Sequence, residues 1–108
     1  MESTDALCLL YVTTADKSEA LKISRALVAE RLIACANILD NMCSVYRWEG
    51  KIETSQECVL IAKTKTCHVA AATAIVKSLH SYDCPCVLSI PVETADLAFK
   101  KWLLSEVE

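Results

Sequence analysis

The stretch 80–86 carries an imidazole, a phenol and two thiols: His80, Tyr82, Cys84 and Cys86. Imidazole and thiolate suit copper and zinc, so His80, Cys84 and Cys86 are the candidate metal ligands. Cys84 and Cys86 are two apart, a spacing that turns both sulfurs to one face if the segment is extended. The competing reading is structural: His80 caps or packs a helix end and Cys86 is core. Catalysis has no comparable grouping. The chain carries no Ser-His-acid or Cys-His motif in a recognisable context and no dinucleotide fingerprint. With one glycine among 108 residues, a phosphate-cradling loop of the usual kind is excluded. His68 is expected to be solvated in the first turn of a helix.

The elements that must position these residues follow from apolar spacing. Ala6–Thr13 is apolar at both parities, as a strand covered on both sides would be. Asp16 with Glu19 three residues later is a capping pattern. It opens a helix to about Arg31 with Ala20, Ile23 and Leu27 as its buried stripe and Ser18, Lys22 and Arg25 in solvent. Ile33–Ile38 begins a second strand, Asp40–Asn41 signals a bulge or turn, and the strand resumes from Cys43 to Trp48. Gly50 then turns the chain, because glycine tolerates positive φ. Ile52–Thr64 is a third strand, with Glu57, Val59, Ile61 and Lys63 on one face and Cys58, Leu60 and Ala62 on the other. Thr66 is expected to cap a second helix carrying Val69, Ala72, Ile75, Val76 and Leu79, which stops before Pro85. Cys86–Val92 alternates as a fourth strand, and Pro91 places it at an edge. Thr94 is expected to cap a last helix, Ala95–Glu106.

This order predicts one α+β domain over 1–108: a ferredoxin-like βαββαβ sandwich with an extra C-terminal helix, and a flexible N-terminus over residues 1–5. One sheet face lacks a helix of the core unit, and the central hairpin is long for so small a domain. Another copy of the same chain is the simplest cover. A net charge of −3 excludes the basic face that nucleic acid requires. No apolar run is long enough for membrane insertion. The acidic start and the odd count of seven cysteines argue for a cytoplasmic protein without a disulfide framework. Cys8, Cys35 and Cys58 are expected as small buried hydrophobes.

The stretches Arg31–Ile38, Tyr46–Glu53, Lys63–Thr64 and His80–Pro85, with Pro91–Val92 and Trp102, resemble in order and spacing the CutA family of divalent-cation tolerance proteins. Trp48–Glu49–Gly50–Lys51 is the specific part of the match, which covers about residues 7–105. The resemblance implies a PII-like homotrimer, its three sheets around a threefold axis and its hairpins reaching across to neighbours, with high resistance to heat. It implies a role in tolerance of copper and other divalent metals, by binding or by signalling, and no enzyme activity. The copper ligands assigned in bacterial members fall here on Val12, Leu79 and His80, so only His80 matches. Under the family fold Trp48, Glu57, Lys63 and Tyr82 gather near a subunit boundary. There Lys63 would meet an anionic ligand, Trp48 and Tyr82 would stack on its ring, and Glu57 would pair with Lys63. Alternatively Trp48 and Tyr82 anchor the interface. The rival functions are a small-molecule-sensing adaptor and a structural trimer that anchors partner proteins.

Overall fold

The structure is a computed structural model that describes residues 5–108. Of the expected flexible start, residues 1–4 lie outside the described residues, and Asp5 sits in a turn. Strand β1 is Leu7–Thr14, and its alternation turns Cys8, Leu10, Val12 and Thr14 into one buried layer. Helix α1 is Lys17–Ala29. Asp16 caps it by accepting from the Glu19 N–H at 2.8 Å, and the Glu19 carboxylate accepts in return from the Ala15 N–H at 3.0 Å. The helix ends two residues before Arg31. Arg31 takes a φ of 57°, its N–H bonds to the Val28 carbonyl, and the Leu32 N–H reaches back to Leu27. This is a Schellman ending with arginine where glycine is usual.

Strands β2, Cys35–Trp48, and β3, Lys51–Lys65, form the long hairpin. The register slips between Leu39 and Met42, where Asn41 has a φ of 58° and Asp40 accepts from its N–H. That is the bulge expected from Asp40–Asn41. It lets Leu39 and Met42 share the sheet face of Val59 and Glu57. The turn is Glu49–Gly50 with φ of 49° and 78°, so both residues, not glycine alone, take the left-handed conformation that suits a two-residue hairpin.

A 3-10 turn over Thr66–His68 leads into α2, Val69–Leu79. Thr66 does not cap α2 as expected. It belongs to the 3-10 turn, and its N–H is bonded to the Ala6 carbonyl. His68 is half-buried, with Nε2 2.9 Å from the Glu108 carbonyl rather than in solvent. Strand β4 is Val87–Pro91, so Cys86 precedes it. Helix α3 is Leu97–Glu106, capped by Asp96 accepting from the Phe99 N–H, not by Thr94. Asp96 stands directly before the first helical residue and three before the donor, where a cap must be.

The sheet order is β2-β3-β1-β4, all antiparallel, the ferredoxin-like arrangement expected. Helices α1 and α2 cover one face, where Leu10, Val12, Ile23, Leu27, Leu60 and Val76 form the main core. Helix α3 crosses one end of the other face, burying Leu7 against Leu103 and Val107. The rest of that face is uncovered: Leu39, Leu88 and Ile90 are exposed beside half-buried Tyr11 and Ile61. β1 stops at Thr14, opposite Cys58, so the hairpin runs on as a two-stranded arm. The arm gives the molecule its 44 Å long axis, against 25 and 22 Å across.

Candidate functional site

The notch where β1 ends and the arm continues is a cleft of about 600 Å³. Its floor is sheet: Thr13 from β1, with Ser55 and Glu57 from β3. Tyr46 and Trp48 wall it from the arm, two residues apart and therefore on one face. The α2–β4 loop closes the other side with Tyr82, Asp83, Cys84 and Cys86. The structure thus brings Trp48, Glu57, Tyr82, Cys84 and Cys86 together.

Tyr82 is held at three points. Its hydroxyl donates to Glu57 Oε2 at 2.8 Å, its N–H donates to His80 Nδ1 at 3.0 Å, and its ring lies 4.7 Å from the His80 ring. Burial pushes the Tyr82 phenol well above its ordinary range, and the Glu57 bond and charge push it further, so it stays protonated as a donor.

His80 is not a cleft ligand. Its imidazole is fully buried at the end of α2, with Nε2 2.7 Å from the Thr13 carbonyl. Since Nδ1 accepts the Tyr82 N–H, the proton belongs on Nε2, which donates to Thr13. Both nitrogens are occupied by backbone, the structural role that competed with metal ligation. Glu19 Oε1 lies 3.7 Å from Nδ1, and Glu19 Oε2 accepts the Ser81 N–H at 2.9 Å. Glu19 therefore ties the start of α1 to the loop that carries Tyr82. Burial raises its carboxyl, but bonds from Ala15 and Ser81, with the nearby His80, outweigh burial and hold it below the ordinary glutamate value.

Cys84 and Cys86 do not share a strand face, because both precede β4. They remain in the cleft lining, Cys84 exposed and Cys86 half-buried. Among the described residues no group of three or more His, Cys, Asp or Glu side chains is arranged to hold a metal ion. Cys8 and Cys58 are core thiols that burial pushes up, as expected of inert cysteines; Cys35 is half-buried.

Lys63 lies elsewhere. It is six residues along β3 from Glu57, about 20 Å at the rise of a strand, and its Nζ sits 5.6 Å from the Phe99 ring centroid under α3. The expected Glu57–Lys63 pair does not form, since six residues of extended strand hold them apart and Glu57 takes the Tyr82 hydroxyl instead. Sequence reasoning left out Tyr46, Ser55, Thr13 and Asp83. The period of two that pairs Tyr46 with Trp48 was a signal for the first. Thr13 joins through tertiary packing, with no local mark.

The CutA1 divalent ion tolerance protein family model matches residues 8–106. "Protein CutA 1, chloroplastic" of Oryza sativa subsp. japonica is 38% identical over 106 residues, 95% of this chain and 60% of that protein. The divalent-cation tolerance protein CutA of Archaeoglobus fulgidus is 37% identical over 99 residues, 92% of this chain and 96% of that protein. The chain spans about half to two thirds of the plant and animal relatives it matches. The crystal structure of CutA1 from Oryza sativa superposes with a TM-score of 0.94 at 34% identity, over 99% of this chain and 98% of that one. That family is named for tolerance of divalent ions, not for a catalysed reaction. Sequence match and superposition coincide over nearly the whole described chain, and the chain belongs to the CutA1 divalent ion tolerance protein family.

Proposed function

We propose that the chain serves divalent metal tolerance as a non-catalytic PII-like homotrimer, binding copper or zinc, or reporting on them, through the cleft beside the arm. The observation that carries this reading is the meeting of Cys84 and Cys86 with Trp48, Glu57 and Tyr82 in one cleft. Two thiols are the soft donors that copper(I) and zinc favour, and a ligand from outside the chain completes their shell. The uncovered apolar face supports the trimer, since a second and third copy would remove it from water. The commitment of both His80 nitrogens to backbone supports a role without acid–base catalysis. Cytoplasmic residence is supported by seven free thiols, although two relatives are named chloroplastic and the Archaeoglobus structure is described as periplasmic. Among the described residues no helix is long and apolar enough to cross a membrane.

The test is calorimetric titration of the reduced protein with zinc and copper(I), beside Cys84→Ser and Cys86→Ser. Expected is saturation at a fixed number of ions per trimer, weakened about tenfold or more by either change. Uptake that follows the total thiol count, whichever cysteine is removed, would sink the metal reading. A second reading, a sensor of a small molecule, is favoured by the size of the cleft, which falls in the range of small-molecule sites and far exceeds a bare ion.

A further inference from the structure

The buried His80 ring has two competing partners at one of its nitrogens. Nε2 donates to the Thr13 carbonyl at 2.7 Å and fixes the ring to the end of β1. Nδ1 accepts the Tyr82 N–H at 3.0 Å and so carries no proton. Glu19 Oε1 stands 3.7 Å from that same atom, beyond hydrogen-bond distance. Glu19 is ionised at neutral pH, because despite burial the bonds from Ala15 and Ser81 hold its carboxyl below the ordinary glutamate value. With a neutral ring, two acceptors therefore face each other and no hydrogen bridges them.

A second proton on the ring reverses both relations. Nδ1 becomes a donor, so N–H meets the Tyr82 N–H and that bond must break. The same proton turns the Glu19 contact into an ion pair, and closing it by about 1 Å would make a charge-assisted bond of ordinary length. Imidazole is the side chain that changes charge between about pH 5 and 8. The groups facing the ring come from several elements: Glu19 from α1, the protonated Tyr82 phenol from the loop, and Glu57 of β3 behind the Tyr82 hydroxyl. β1 presents the Thr13 carbonyl. Both carboxylates attract a cationic ring, and the positive N-terminal end of α1 opposes them. Ser81 stays bonded to Glu19 Oε2 whichever partner Nδ1 takes, so release begins at Tyr82.

We propose that His80 is a proton-operated latch on the α2–β4 loop: with Nδ1 bare the ring holds the Tyr82 backbone, and with Nδ1 protonated it turns to Glu19 and lets Tyr82 go. Every contact of the latch lies within one chain, and the ring is fully buried in that chain, so the latch does not depend on what covers the arm or the open sheet face. It uses neither Cys84 nor Cys86 and stands apart from the metal reading. The test is amide hydrogen exchange of the full protein read by NMR between about pH 8 and 5, corrected for the intrinsic pH dependence of exchange. Wild type is compared with His80→Asn and Glu19→Gln. Expected in wild type is a fall of about tenfold or more in Tyr82 amide protection, in step with titration of the His80 ring signals, while Ser81 stays protected. Asparagine offers an oxygen in the place of Nδ1 and takes no proton, so the Tyr82 amide of His80→Asn should keep one protection throughout. Glu19→Gln removes the partner of the charged ring and should keep Tyr82 protected to lower pH. A ring that takes no proton in this range, a Tyr82 amide indifferent to the ring's titration, or a fall that His80→Asn shares overturns the proposal. If His80→Asn does not fold, wild type decides alone: equal loss at Tyr82 and Ser81 means that the loop opens as a whole and there is no latch.

Discussion

Glu19 joins two segments that the sequence keeps far apart. One oxygen accepts from Ala15 at the start of α1 and the other from Ser81, 62 residues on. Because its carboxyl is held below the ordinary value near 4.5, it contributes stability that is complete above that value. The contribution is lost as pH falls through the lower folded-state value, where the native carboxylate must take a proton. Glu19→Gln is therefore expected to cost about 1 kcal/mol at neutral pH, the worth of charge-assisted bonds discounted for partial exposure. In urea melts the gap to wild type should narrow as pH falls through that lower value. A gap that stays constant across that range would mean packing, not charge, is what Glu19 supplies.

Among the elements, α3 packs on Leu7 through Leu103 and is clamped to the end of α1 by one side chain. Arg31 donates through Nε to the Glu106 carbonyl at 3.1 Å and through its terminal nitrogen to Ser105 at 3.0 Å. These are last-turn carbonyls of α3, which have no partner within the helix and favour a cation. The Glu108 N–H returns a bond to the Arg31 carbonyl. The same residue holds a left-handed φ at the end of α1, where glycine would sit without cost. Two effects therefore compete at one position. Arg31→Ala loses the clamp and keeps the backbone strain, and is expected to destabilise by about 1–2 kcal/mol. Arg31→Gly loses the clamp but relieves the strain, and should be less harmful by about 1 kcal/mol. Chemical denaturation of the two variants measures the difference. Equal losses would show that the φ carries no strain.

The whole molecule is unbalanced as a single chain. Trp48 is 63% exposed and Ile52 74% on an arm that no helix covers, and Leu88 is 56% exposed on the open sheet face. Isolated two-stranded ribbons are marginal in water, and contiguous apolar surface marks an interface. The proposed trimer predicts a sedimentation-equilibrium mass three times the 11.9 kDa of the chain. Its melting temperature should rise with protein concentration, since association stabilises the folded state by mass action. Leu88→Glu would place a charge in the buried face and is expected to yield single chains. A Leu88→Glu protein that keeps the trimer mass would show that this face is not the interface.

What the sequence determined by itself is what short-range chemistry controls. Apolar spacing located all four strands and three helices. Asp16 with Glu19, Asp40–Asn41 and Gly50 marked a cap, a bulge and a turn, because each acts through bonds and φ angles within a few residues. Even there the ends shifted: Asp96 took the capping role expected of Thr94, and Cys86 fell outside β4. Tertiary structure alone decided the site. His80 offers two nitrogens to any reader of the sequence, but one is bonded to Thr13, 67 residues earlier, and neither is left for a metal. Lys63 and Glu57 share a strand face, yet the rise of an extended chain separates them and the packing of α3 gives Lys63 a ring instead of a carboxylate. The cleft joins residue 13, the arm from 46 to 57 and the loop from 82 to 86. Its charge is a sum over segments that meet only when the chain folds.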